Sequence, residues 1–345
     1  MQSGIQIGKV GRNPCLVSNY AINHHISETG TSGSGKTVRL NYMELEAVKD
    51  GNTVVVLDIN ESHADKMIFS TIKEEYCSYI NRINVKADGL DIRFLQPMKG
   101  DDGQKEDSIS VISSVAYALG IPQRMGNRQI GVLREAEVFA LNHMSEFSTE
   151  MEAIEQGILQ QNNAVANAVC QKMWPVIHHN IFRKSDKNIK KGKLNVISFN
   201  GIDRITQATL IEILLSYLWR SIQVSSNSGK VIFSIDEYQN LMLGEGSVLR
   251  NILREGRKFN ISLLLATQTM SVFPKDTRSI LNQAATRLYF RPEVNEIRNV
   301  AKEIDSENVK KWVSILKSLQ VGEAVAVGDF CVYGREIRHP ILIQQ

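Results

Sequence analysis

The chain has 345 residues, 43% of them apolar and 22% charged, an ordinary globular balance with ample material for a core. Its formal net charge of +3 is too small to argue for nucleic acid, so any basic surface has to be local. Cys15, Cys77, Cys170 and Cys331 are scattered without C-x-x-C spacing, which reads as free thiols in a reducing cytoplasm rather than a zinc site or disulfide framework.

Residues 5–20 read as a short hairpin, with Gly8, Gly11 and Asn13-Pro14 as turn signals. The strand expected at 24–28 (HHISE) is polar for a buried position. It leads into Gly30-Thr31-Ser32-Gly33-Ser34-Gly35-Lys36-Thr37, which fits the P-loop pattern G-x-x-x-x-G-K-[ST] without a mismatch. Glycines there let the backbone wrap phosphate oxygens, and the helix that follows aims its first N–H groups at the same anion. Lys36 is expected to reach the β- and γ-phosphates of ATP and Thr37 to bind Mg²⁺, with Val38 counted among the nucleotide-binding residues. The alternative is an ordinary Gly/Ser loop. The flanking pattern supports the nucleotide: a helix over 38–49, a turn at Asp50-Gly51-Asn52 and an apolar strand over 53–58. A further helix is predicted over 60–80, where Ile68, Ile72, Tyr76 and Ile80 fall four apart.

After a polar loop at 99–107, residues 108–183 carry almost no strand signal. Helices are predicted at 109–119, 128–143, 149–157 and 161–181. His143, His178 and His179 lie there, but adjacent histidines do not share a helix face, and packed or surface roles are expected rather than a metal site. A basic loop follows (Arg183, Lys184, Lys187, Lys190, Lys191, Lys193), read as a solvated connection or, alternatively, a contact to DNA phosphates. Strands at 195–200, 231–235, 261–266 and 286–290 then alternate with helices at 205–224 and 248–258, which argues for a mostly parallel sheet covered on both faces.

Val231-Ile232-Phe233-Ser234-Ile235-Asp236-Glu237 has the form of a Walker B strand. Asp236 is expected beside the P-loop, holding Mg²⁺ directly or through water, and Glu237 beside the γ-phosphate, polarising the attacking water. Two acids favouring a helix N-terminus are the alternative. Strand 261–266 ends in Thr267-Gln268, whose amide is placed to contact the γ-phosphate or the water. Arg254-Glu255-Gly256-Arg257-Lys258 offers cations either for a neighbouring subunit's ATP or simply for a helix C-terminus.

Taken in order, "GTSGSGKT", "VVVLD", "VISFNGID", "VIFSIDEYQN", "REGRKFNISLLLATQT", "RLYFRP" and "VGEAVAVGDF" resemble the HerA/FtsK superfamily of P-loop ATPases, over roughly residues 5–340. The resemblance implies a RecA-like α/β core over 1–107 and 191–345, with a helical subdomain over 108–190 inserted. It also implies ATP and Mg²⁺, Lys36 and Glu237 as catalytic residues, Gln268 as sensor, and Arg257 (Arg254 as fallback) as an arginine acting in trans. Family members work as hexameric rings on double-stranded DNA, which implies a DNA translocase here, working with a partner protein such as a nuclease. A conjugation or type IV secretion motor at a membrane complex, and a slowly hydrolysing assembly switch, are the alternatives. HerA proteins usually carry an N-terminal β-barrel and coupling proteins membrane helices, whereas about 29 residues precede this P-loop. No run approaches the roughly 18 apolar residues of a span, and the N-terminus lacks a signal peptide's apolar core, so a cytoplasmic location is expected.

Overall fold

The computed structural model describes residues 4–64, 66–68, 70–225 and 229–345. The expected hairpin forms from Gln6–Val10 (β1) and Asn13–Val17 (β2). Ile26–Thr29 (β3) runs into the P-loop, and Lys36–Lys49 (α1) and Thr53–Asp58 (β4) follow. The helix expected over 60–80 is confined to Lys73–Tyr79 (α2), and Ile80–Asn84 (β5) is an unforeseen strand. Ile68, Ile72 and Tyr76 are buried at their four-residue spacing, yet the described residues between 60 and 72 run as turns. Asp65 and Phe69 of that stretch lie outside the described residues.

The helical region consists of Ser108–Gly120 (α3), Asn127–His143 (α4), Glu150–Gln160 (α5) and Ala164–His178 (α6). Side-chain caps fix several starts: Asp107 accepts from Ser110 N, Thr149 from Glu152 N, and Asn163 from Val165 N and Ala166 N. The alternating half follows as Leu194–Ser198 (β6), Arg204–Val224 (α7), Val231–Asp236 (β7), Val248–Glu255 (α8) and Ile261–Thr267 (β8). Lys275–Leu281 (α9), Thr286–Tyr289 (β9), Ile297–Ile304 (α10) and Val309–Ser318 (α11) come next. Four short strands complete the chain: Ala324–Val327 (β10), Phe330–Val332 (β11), Arg335–Ile337 (β12) and Ile341–Ile343 (β13).

These strands build two sheets. The nine-stranded sheet has the order β13-β10-β9-β3-β8-β7-β4-β6-β5, parallel from β9 to β5 and antiparallel where β10 and β13 are added. A small antiparallel sheet has the order β1-β2-β11-β12. Burial on both faces explains the near-continuous apolar runs of β4, β7 and β8. Val55, Leu57, Phe233, Ile235, Leu263 and Leu265 face one core, which α3 to α8 share without a break. Val54, Val56, Ile232, Leu264 and Ala266 face the other, filled by α1 and the small sheet. Tyr289, α10, α11 and Val325 form a third cluster. Among the described residues the four cysteines are free, and no helix is long and apolar enough to cross a membrane.

The polar strand β3 is buried throughout. Its neighbours supply what the sequence leaves wanting. Nδ1 of buried His25 accepts from Leu263 N at 3.1 Å, and burial, reinforced by His24, lowers the imidazole to about 4, so it stays a neutral acceptor. Burial likewise pushes the Glu28 carboxyl well above the usual range, against the pull of Arg39 and Lys36.

Two buried groups fasten α1. The Arg39 guanidinium donates to the carbonyls of Ile7, Gly322 (2.9 Å) and Gln344 (3.2 Å), tying the P-loop helix to β1, to the loop before β10 and to the segment after β13. Glu44 accepts from His63 Nε2 (3.0 Å), Tyr76 Oη and Ser234 Oγ, joining α1 to the turn after β4, to α2 and to β7. On its other side, His63 Nδ1 faces Asp58 at 3.5 Å and Ser62 at 3.0 Å. This inward pull on His63 accompanies the turn conformation where a helix was expected. Burial alone would hold His63 neutral, but the Glu44 and Asp58 carboxylates override it and push the group up to about 10.

Replacing Arg39 with Ala removes the partner of three carbonyls and should destabilise the chain by about 3 kcal/mol or more, read as a lower urea midpoint. The raised His63 value means stabilisation that is complete below about 6.5, the unfolded value, and is lost as pH rises through about 10. Thermal midpoints measured across that window should fall in the wild type, and His63→Gln should remove this component of the slope.

Candidate functional site

Strands β3, β8 and β7 lie side by side and parallel, in a register that aligns Thr29 with Thr267 and Ala266 with both Glu28 and Asp236. Their carboxyl ends therefore emerge together, where open parallel sheets bind ligands. The P-loop springs from the end of β3. Gly33 (φ 74°) and Gly35 (φ 105°) adopt left-handed conformations that other residues rarely tolerate, and Gly35 is the residue from which α1 starts. The loop is held by Thr31 N donating to Arg291 O (2.9 Å) and Gly322 N donating to Ser34 O (2.9 Å). A cleft of about 200 Å³ runs along it, between Thr31, Ser32, Gly33 and Ser34 on one side and Arg291, Leu319, Gln320 and Val321 on the other. Val38 is half-buried on the first turn of α1.

Lys36 Nζ arches back over the loop and donates to the carbonyls of Gly30 (2.7 Å) and Thr31 (3.0 Å). Burial lowers its pKa, while Asp236, Glu237 and Glu28 oppose that shift, so an anion-seeking ammonium stands among carboxyls. Thr37 Oγ1 donates to Asp236 Oδ2 at 2.9 Å. Asp236 Oδ1 is buried and has no hydrogen-bond partner. Burial raises the Asp236 pKa, with Glu237 adding to the rise and the Thr37 hydroxyl, His63 and Lys36 countering it. A threonine hydroxyl beside a carboxylate with one unused buried oxygen is a donor set suited to Mg²⁺, which takes oxygen ligands and keeps several waters. Among the described residues no cluster of three or more His, Cys, Asp or Glu could hold a metal, and His143 and His178 each hydrogen-bond the carbonyl four residues back.

Glu237 follows Asp236 in a left-handed conformation (φ 58°, ψ 43°), uncommon for a residue with a side chain. Tyr238, fully buried and stacked on Phe273 with ring centroids 5.4 Å apart, anchors the turn beyond it. The Glu237 carboxylate accepts from Gln268 Nε2 at 2.9 Å and from Gln239 Nε2. Lys36, Thr37, Asp236, Glu237 and Gln268 are thus brought to one edge of the sheet.

Arg257 is not among them. It lies in a short turn of 3-10 helix before β8, at that strand's opposite end, and its neighbour Gly256 packs against His25 ahead of β3. The length of β8, at about 3.3 Å per residue, puts about 20 Å between Arg257 and Gln268, beyond an arginine's reach. Arg254 and Arg257 are both exposed. In the basic loop, Arg183 serves structure, donating to the carbonyls of Lys86, Ala87 and Asn180. The sequence reading missed Gln239, Arg291 and the Glu44–His63 pair, none of which belongs to a recognisable spacing.

No protein-family model matches the sequence, and no curated protein matches it. Solved structures do match in three dimensions. VirB4 of Thermoanaerobacter pseudethanolicus superposes with a TM-score of 0.75 at 13% identity, covering 100% of this chain and 96% of that one. The bacterial conjugative coupling protein TrwB, in a form with sulphate, gives 0.65 at 14% identity, with 100% and 90% covered. TrwB in complex with ADP and Mg²⁺ gives 0.62 at 14% identity, with 93% and 85% covered. The chain therefore has the mixed α/β, RecA-like P-loop NTPase fold seen in VirB4 and TrwB.

Proposed function

We propose that the chain is an ATP-hydrolysing motor that assembles as a ring, a double-stranded DNA translocase serving a partner such as a nuclease. The observation that carries the catalytic half is the meeting of Lys36, Thr37, Asp236, Glu237 and Gln268 at one sheet edge, from segments far apart in sequence. The P-loop backbone and Lys36 bind the β- and γ-phosphates. Thr37 and Asp236 would hold Mg²⁺, which would supply positive charge against the phosphates. Glu237 takes the proton of the attacking water, and Gln268 senses the γ-phosphate. The end product is ADP and phosphate.

The position of Arg257 supports the ring. It is exposed, out of reach of its own P-loop, and at the end of the sheet where a neighbour's nucleotide would sit in a head-to-tail assembly. An arginine there stabilises charge spread over the transferring phosphoryl group. The DNA cargo, the count of six subunits and the nuclease rest on the motif resemblance to the HerA/FtsK superfamily. A second reading, a motor of conjugation or type IV secretion, is favoured by the whole-chain likeness to TrwB, a conjugative coupling protein. Stimulation of ATP turnover by duplex DNA supports the first, and stimulation only by a membrane partner supports the second.

Lys36→Ala should abolish nucleotide binding or turnover in a phosphate-release assay. Arg257→Ala should keep binding and lose turnover, and mixing it with Glu237→Gln subunits should restore part of the rate. No restoration despite co-assembly in native mass measurements would remove the trans arginine. Turnover indifferent to Glu237→Gln would return the chain to a slow assembly switch.

A further inference from the structure

The two amides that hold Glu237 are not equivalent. Gln268 is exposed, and its hydrogen bond to Glu237 Oε1 spans 2.9 Å. Gln239 is half-buried and tied at both ends of its amide. Its Nε2 donates to Glu237 Oε2, and its Oε1 accepts from Thr267 Oγ1 at 2.7 Å. Thr267 is fully buried as the last residue of β8, so this anchor belongs to the sheet itself. The backbone between Asp236 and Gln239 is equally constrained, by the left-handed Glu237 and by Tyr238 locked into the core through Phe273 and Met270.

We infer that Gln239 is a positioning residue for the general base, the fixed half of a two-amide clamp whose movable half is Gln268. This rests on the ATPase reading above. Exposed Gln268 has room to swing toward a γ-phosphate, and in doing so it gives up its bond to Glu237. That frees one carboxylate oxygen to receive the proton of water. Gln239 keeps the other oxygen, because Thr267 holds the far side of its amide. Without that hold, the freed glutamate side chain samples several rotamers, and only a fraction of them aim an oxygen at the water. The chain Thr267–Gln239–Glu237 thereby transmits the rigidity of a central strand to the one catalytic side chain that stands on a strained turn.

The test compares Gln239→Met and Thr267→Val, two changes that keep shape and remove the hydrogen bonds, with the wild type in the full-length chain. Steady-state hydrolysis of Mg·ATP, affinity for a fluorescent ATP analogue and the thermal midpoint are measured. Each variant should lose about tenfold in kcat, with KM and analogue affinity within about twofold of wild type. The double variant should lose no more than the more impaired of the two single variants, because both changes cut one chain, Thr267→Val also giving up the hydroxyl's bond to Thr269 O. In a Glu237→Gln background, Gln239→Met should lower the residual rate no further, whereas a purely structural role for Gln239 would still lower it. Wild-type kcat in both single variants, a loss confined to KM, or additive losses in the double variant would overturn the clamp while leaving the ATPase intact. A wild-type chain that neither binds the analogue nor hydrolyses ATP would overturn the ATPase reading, and the clamp with it.

Discussion

Everything at the candidate site hangs on the parallel register of three strands. β3, β8 and β7 end at one level because Ala266 is aligned with Glu28 on one side and Asp236 on the other. Side chains alternate across a strand, so a slip of one residue would turn Asp236 away from Thr37 and carry Ile235 to the ligand edge. Both faces of β7 and β8 are buried under apolar side chains, which gives such a slip a large cost. The geometry of a few polar atoms is thus enforced by the packing of many apolar ones.

Buried charge does a different job. Helix α1 would be weakly oriented by its apolar stripe alone, since greasy contacts tolerate rotation and sliding. Glu44 and Arg39 remove that freedom, each meeting partners on several separate elements. Such directional bonds specify one arrangement more sharply than they add net stability, because removing ions from water offsets much of what the contacts contribute. The helix they orient is the one whose first turn faces the nucleotide cleft.

What could be read from the sequence follows from how chemistry is distributed along it. The P-loop is contiguous, and its glycines are demanded by backbone conformation, so Lys36 and Thr37 stood out unaided. Asp236, Glu237 and Gln268 were legible because each ends an apolar run, and the ends of parallel strands are where ligands bind. Gln239 was not, since its role depends on Thr267, which is distant in sequence and signals nothing by itself. His63 illustrates the opposite error. The four-residue spacing around it is realised as burial and not as a helix, because periodicity reports which side chains turn inward and not the backbone between them. The helical stretch is legible as helices, whereas its packing is not: α3 to α6 join the core of a sheet face.

The separation between Arg257 and the P-loop gives the chain a polarity. One end of the sheet offers a cation and the other a phosphate cradle, so in the proposed ring a complementary pairing would join unlike ends, head to tail. In that proposed assembly an open row of subunits would always end with one unanswered cradle and one idle arginine, however long it grew. Only a closed circle leaves neither over. On this view closure is itself a chemical event, the point at which the last incomplete site becomes competent, and the number of working sites equals the number of subunits only once the circle is shut.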